Sequence, residues 1–176
     1  MGTRHFIGVK QNGAYKVAQY GQWDGYPSGQ GYGVLKFLSS ADLTVFAEKV
    51  SKCVFIDGEN IRQKYIAVGR DPEDKSGFVS IEISNKFKAA YPQLSRDAGA
   101  DVLTMVMESE DGLELVDNAD FLNDELFCEF AYIIDLDEQK LFCYSGGNKH
   151  KWGEYPLNAL PDIEQMKKDY NDDEEE

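Results

Sequence analysis

Two stretches that alternate apolar and polar residues, 3–10 (TRHFIGVK) and 14–20 (AYKVAQY), flank Gln11-Asn12-Gly13. Asn-Gly between alternating runs is a strong short-range signal for a β-hairpin, because both residues tolerate the positive φ that a tight, twist-matched turn demands. A second pair, 128–136 (CEFAYIIDL) and 140–144 (KLFCY), is rich in aromatic and β-branched residues around Asp137-Glu138-Gln139. β-Structure is therefore expected at both ends of the chain.

Between the hairpins the period changes. Val34, Leu35, Phe37 and Leu38 predict a short helix. Ser39-Ser40-Ala41-Asp42 then offers an N-cap for a helix over 43–53, with Leu43, Phe46, Ala47 and Val50 on one face. Residues 59–68, 80–90 and 95–107 also have helical spacing, the last two separated by Tyr91-Pro92, where proline disfavours the α conformation of the residue before it. Residues 70–77 (RDPEDKSG) are a polar loop, 113–116 a short strand and 161–170 a final helix opened by proline. The arrangement predicts a single α+β domain over 1–170: an antiparallel sheet made from the N-terminal and C-terminal β-hairpins, with a helical middle region packed on one face. Residues 171–176 (NDDEEE) read as a disordered, solvated acidic tail.

The 176 residues suffice for one core, and 42% apolar with 28% charged residues is the balance of a globular protein. Thirty-two acids face eighteen Lys and Arg, a formal charge of −14. Residues 172–176 account for five of those negative charges, leaving −9 on the body. A field of that sign repels phosphate backbones, so direct binding to free nucleic acid is not expected. No apolar run approaches the ~18 residues of a membrane span, and Met1-Gly2-Thr3-Arg4-His5 lacks the apolar core of a signal peptide. Phe6 stands where a myristoylation motif wants Ser or Thr. A cytoplasmic location without membrane attachment follows. Cys53, Cys128 and Cys143 form no C-x-x-C pair, and with only His5 and His150 beside them they predict neither disulfides nor a metal site.

The most distinctive segment is the loop from Gly21 to Gly31 (GQWDGYPSGQG), with glycines around Trp23, Asp24 and Tyr26. Glycines permit close backbone approach and aromatic rings supply stacking area, so Gln22, Trp23, Asp24 and Tyr26 are the candidate binding residues. The competing reading is an Ω-type loop whose aromatics fold back over the sheet.

Four stretches resemble an uncharacterised family scattered through phages, bacteria and fungi. They are Met1-Gly2-Thr3-Arg4-His5; Tyr20-Gly21-Gln22-Trp23-Asp24-Gly25-Tyr26-Pro27 with Gly29-Gln30-Gly31; Ser95-Arg96-Asp97 with Gly99-Ala100; and Phe127-Cys128-Glu129-Phe130-Ala131-Tyr132 running into Ile134-Asp135-Leu136. The likeness spans residues 1 to about 145 and departs from the pattern at Phe6, Tyr32 and Gly33. It implies a shared fold and brings no catalytic residues.

Two functional classes stay open, so whether the chain is an enzyme is undecided at this point. A hydrolase or nuclease built around the Gly21–Gly31 loop would draw on His5, Asp24, Arg96 and Asp97, with Glu129 as a further acid. No G-x-S-x-G and no P-loop is present, and removal of Met1 would expose Gly2, which cannot act as a terminal nucleophile. No cofactor is expected. The other class rests on charge: a small acidic protein can occupy a basic channel built for nucleic acid. In size and acidity the chain is similar to the anti-CRISPR inhibitors that phages and mobile elements direct at Cas9-type nucleases with their guide RNA. That likeness implies a basic protein or ribonucleoprotein as partner.

Overall fold

In the computed structural model, which describes residues 2–174, the chain is an α+β fold built on a five-stranded sheet. Strands β1 (His5–Gln11) and β2 (Ala14–Gly21) form the expected hairpin. Asn12 and Gly13 take φ of 55° and 75° at its turn. The two carboxylate oxygens of Asp137 accept the Asn12 and Gly13 N–H groups, each at 2.8 Å, which ties this turn to the second hairpin.

That second hairpin is β5 (Phe130–Asp135) with β6 (Lys140–Ser145), and a strand the sequence reading missed, β7 (His150–Pro156), extends it to a three-stranded meander. The strand order is β2-β1-β5-β6-β7. β1 runs parallel to β5, His5 opposite Phe130 and Lys10 opposite Asp135, so the sheet is mixed and the expected all-antiparallel sheet is corrected. The reason lies in burial. Every residue of β5 and the first five of β1 are buried, and strands that hide both faces belong at the centre of a sheet. Joining the leading strands of two hairpins makes the central pair parallel, and the intervening helical segment supplies the long crossover that such a pair needs.

Six α-helices occur among the described residues: α1 (Tyr32–Ser40), α2 (Leu43–Ser51), α3 (Gly58–Ala67), α4 (Ile81–Ala90), α5 (Asp101–Glu108) and α6 (Ile163–Glu174). Asp42 caps α2 as expected, its Oδ1 accepting the Thr44 and Val45 N–H groups. Helix α5 starts six residues later than the spacing predicted, because Gly99 takes φ +53° and breaks the helical path. Helix α6 runs beyond the expected end at Tyr170, since nothing from Asn171 to Glu174 breaks a helix; 171–174 are helical, and residues 175 and 176 of the expected tail lie outside the described residues.

The middle region is not purely helical. β3 (Val54–Ile56) and the expected β4 (Glu114–Val116) pair in parallel as a separate ribbon. Just beyond β4, the Asn118 N–H donates to Ala18 O at 2.8 Å and its side-chain oxygen accepts the Tyr20 N–H at 3.2 Å. The ribbon thereby blocks part of the β2 edge, which would otherwise present open pairing groups.

Alternation sorts the sheet into two faces. Ile7, Val9, Tyr132, Ile134 and Leu141 pack against Val34, Leu35, Phe46, Leu103 and Met166 of the helices. On the reverse face Phe6, Ala18, Ala131 and Ile133 pack under Leu122 and Cys128. Cys53, Cys128 and Cys143 are buried thiols without disulfides. No helix among the described residues is long and apolar enough to cross a membrane.

Candidate functional site

The Gly21–Gly31 loop closes over one end of the sheet as a compact cover. Its backbone is pinned at four places: Gly25 N–H to Thr3 O (2.9 Å), Gln30 N–H to Asp24 O (2.8 Å), Gln22 N–H to Arg96 O (3.0 Å), and the Tyr132 hydroxyl to Gly25 O (2.8 Å). The glycines stand where the cover touches what lies beneath. A Cβ on Gly21 would fall 2.1 Å from His5 Nε2, one on Gly25 2.9 Å from Thr3 O, one on Gly29 2.3 Å from Asp24 O and one on Gly31 2.9 Å from the Tyr132 hydroxyl. At these positions glycine is a packing requirement.

His5 lies under this cover, 1% exposed, and neither ring nitrogen has a hydrogen-bond partner among the described residues. Burial lowers its pKa to about 4, against the weaker upward pull of the Thr3 backbone and the Asp24 carboxylate. The Thr3 backbone therefore favours the protonated ring without meeting hydrogen-bond geometry. At neutral pH the imidazole is uncharged and sealed from solvent.

The binding candidates lie on the outer side. Trp23 is 46% exposed, and its indole N–H donates to Asp97 Oδ1 at 2.8 Å, while Lys88 Nζ holds Asp97 Oδ2 at 2.9 Å. The ammonium first and the indole after it keep the Asp97 carboxyl below the usual range. Asp97 therefore bridges loop and helix α4 instead of capping the helix that follows it. Gln22 accepts the Tyr20 hydroxyl through its side-chain oxygen. Tyr26 is 54% exposed and leans on Phe130, ring centroids 5.8 Å apart. Asp24 adopts φ 56°, and its carboxylate makes no hydrogen bond among the described residues.

The structure therefore brings Gln22, Trp23, Arg96 and Asp97 together and leaves His5 beneath them. No hydrogen bond joins any two of the His5, Asp24, Arg96 and Asp97 side chains among the described residues, so no base is coupled to a nucleophile or an acid there. Beside Asp97 a cleft of about 390 Å³ is lined by Tyr65, Ser84, Asn85, Lys88 and Arg96. Glu129, the further acid, is drawn elsewhere: it accepts the Arg4 N–H at 2.7 Å, and the Arg4 guanidinium stacks on Phe127 at 4.5 Å. No group of three or more His, Cys, Asp or Glu suited to a metal occurs among the described residues.

Sequence reasoning missed three residues that build the region. Gln30 reaches across the loop, its Nε2 to Trp23 O at 3.4 Å and its Oε1 accepting the Ala100 N–H at 2.7 Å, the first free donor of α5. Lys88 holds Asp97 from nine residues away. Tyr132 left a signal, because a tyrosine between apolar neighbours in a central strand needs a partner for its hydroxyl. Compared with known proteins, the chain matches no protein family, no curated protein and no solved structure.

Proposed function

We propose that this chain is an acidic interaction protein that binds and inhibits a basic, nucleic-acid-handling partner, in the manner of a phage or mobile-element inhibitor acting on a CRISPR nuclease with its guide RNA. The observation that supports this reading is that folding leaves the charge excess on the surface. The ion pairs take up cations as readily as acids: Lys52 is held by Glu48, Lys64 by Glu114, Lys88 by Asp97 and Lys149 by Glu125. Exposed acids such as Asp101, Glu108, Glu110, Asp111 and Asp120 figure in no ion pair among the described residues. Uncompensated surface charge speeds encounter with a basic partner and discriminates against acidic ones. Exposed Leu126 and Phe127 (75% and 45%) lie beside Asp124 and Glu125 and add apolar contact area to that charge.

The test is capture of host proteins by the tagged chain at low and high salt, with protein and RNA in the eluate identified and the captured nuclease assayed for inhibition. A partner lost steeply with rising salt, and weakened more by Glu108→Lys with Asp111→Lys than by Trp23→Ala or Asp24→Ala, is the expected result. An eluate without any basic nuclease or ribonucleoprotein, or capture indifferent to salt, overturns the reading.

A further inference from the structure

The reverse face of the sheet is only half covered. Segment 117–128 lies over Phe6, Ala18 and Ala131, but toward the hairpin turns the face is open. A solvated sheet face is normally polar. This one instead presents Tyr15, Phe142 and Tyr144 around the buried floor residue Ile133, enclosing a cavity of about 280 Å³. Phe142 and Tyr144 lie along one strand, rings inclined by 30° with centroids 6.4 Å apart. Tyr15 lies over Gly8, where a Cβ would meet its ring at 2.9 Å.

Asp135 stands at the turn end of this cavity, 6% exposed and so more than nine-tenths buried. Its Oδ1 accepts the Asp137 and Glu138 N–H groups at 3.0 and 2.9 Å. Its Oδ2 makes no hydrogen bond among the described residues and is not sealed off, which leaves it facing the cavity that Asp135 lines. Lys10, its register partner on β1, also lines the cavity, whereas Lys140, its partner on β6, turns its ammonium to Glu154 at 3.8 Å. The hydroxyls of Tyr15 and Tyr144 also lack partners among the described residues. Burial, and then Tyr144 and Asp135, push the Tyr15 hydroxyl up to about 12, so it stays a donor. Asn148 completes the rim.

We propose that this cavity binds one ring of a neutral saccharide, a hexopyranose free or at the end of a glycan. Its apolar C–H face would lie on Phe142 and Tyr144, and its hydroxyls would meet Asp135, Lys10 and Asn148. Three features select that chemistry. Flat rings beside paired donors and acceptors suit a ligand with one apolar face and a hydroxylated rim. The lining carries one cation, Lys10, against the two carboxylates Asp135 and Glu138, which disfavours an anionic ligand. A cationic ligand would also be repelled by the cations already at the rings, Lys10 over Tyr15 at 5.7 Å and Lys151 over Phe142 at 5.6 Å, and a neutral one would not. The volume lies just below the ~300 Å³ at which pockets begin to hold drug-sized ligands, room for one ring.

The experiment is saturation-transfer NMR on the full chain with methyl β-D-glucopyranoside, methyl β-D-galactopyranoside, cellobiose and lactose, each against tetramethylammonium as the cationic control. Transfer to ring protons of at least one sugar is expected, and transfer to a disaccharide alone identifies a glycan end. Phe142→Ala and Asp135→Asn should each weaken binding about tenfold, corresponding to loss of one stacking or hydrogen-bond contact. Asp135→Asn keeps the acceptor for the two turn amides, so circular dichroism and melting temperature should hold. Transfer to none of the sugars, binding unaltered in both variants, or transfer to tetramethylammonium alone overturns the proposal. Because none of the cavity's residues is among those invoked for partner binding, loss of one property leaves the other measurable.

Discussion

Gly21 and His5, directly opposite each other in the first hairpin, approach so closely that a methyl group on the glycine would lie 2.1 Å from the imidazole Nε2. Gly21 carries no positive φ, so it is glycine for lack of room, whereas Gly13, at φ 75° with open space around its Cα, is glycine for its backbone. Gly21→Ala should therefore cost about 3 kcal/mol through overpacking, and Gly13→Ala about 1 kcal/mol through strain. Urea unfolding of both variants checks the order. His5→Ser in the Gly21→Ala background should restore about 1 kcal/mol or more, and strict additivity in that double-mutant cycle would show that the two side chains do not compete for space.

The same cover makes His5 a determinant of acid stability. Its folded pKa, about 4, lies below the 6.5 of an unfolded chain, so the unfolded state takes up the proton first. Stability is unaffected above the unfolded value, falls as pH drops from about 6.5 toward 4, and levels off below that. The loss should total about 3 kcal/mol, an order-of-magnitude figure at about 1.4 kcal/mol per unit. Urea midpoints at pH 7, 6 and 5 for the natural chain should therefore slope, and those of His5→Gln should be flatter in that window. Parallel slopes would mean that the ring is hydrated in the folded state.

Local chemistry was legible in the sequence and long-range pairing was not. Asn12-Gly13, Asp42 and the aromatic and β-branched residues of CEFAYIIDL act within a few residues, so the first turn, the start of α2 and the strand β5 follow from local sequence alone. The pairing of β1 with β5 is set by relative burial across more than a hundred residues, and periodicity cannot report it. Of the candidate site, the closeness of Trp23 to Asp97 depends on how the 95–100 turn docks, and the role of Gln30 on a contact seventy residues away, so neither has a signal in spacing. The glycines alone do not separate a ligand cradle from a packing requirement, because close approach to a ligand and close approach to His5 and Tyr132 demand the same residue.

Gln30 offers a separate test of how the loop is held. Its side-chain oxygen caps α5 at the Ala100 N–H, and Gly99, at φ +53°, leaves the space it occupies. Gln30→Ala should cost about 1–2 kcal/mol and speed hydrogen exchange at the Ala100 amide, as loss of a helix cap does. Gln30→Glu keeps the acceptor and places negative charge at a helix N-terminus, so most of that protection should return. Equal exchange rates in all three proteins would refute the capping role.

Asp97 is the place where the loop can be watched from outside. The Lys88 ammonium and then the Trp23 indole hold its carboxyl below the usual range, so the contact should persist through mild acid and weaken only as pH falls beneath that range. The sign is that of a depressed carboxyl, whose contribution is complete above the unfolded pKa and is lost on acidification. Trp23 is half exposed and Trp152, the second tryptophan, is buried, so a change in the red part of the emission reports on Trp23. Asp97→Ala should shift that emission to the red with a stability loss below about 1 kcal/mol, the scale of an exposed ion pair. Asp97→Asn keeps an oxygen for the indole while losing the Lys88 pair, and its emission should stay near that of the natural chain. The loop itself should remain in place in both variants, because Gln22, Gly25 and Gln30 are anchored through atoms that Asp97 does not touch. A collapse of stability in Asp97→Ala would instead make this one carboxylate the fastener of the whole cover.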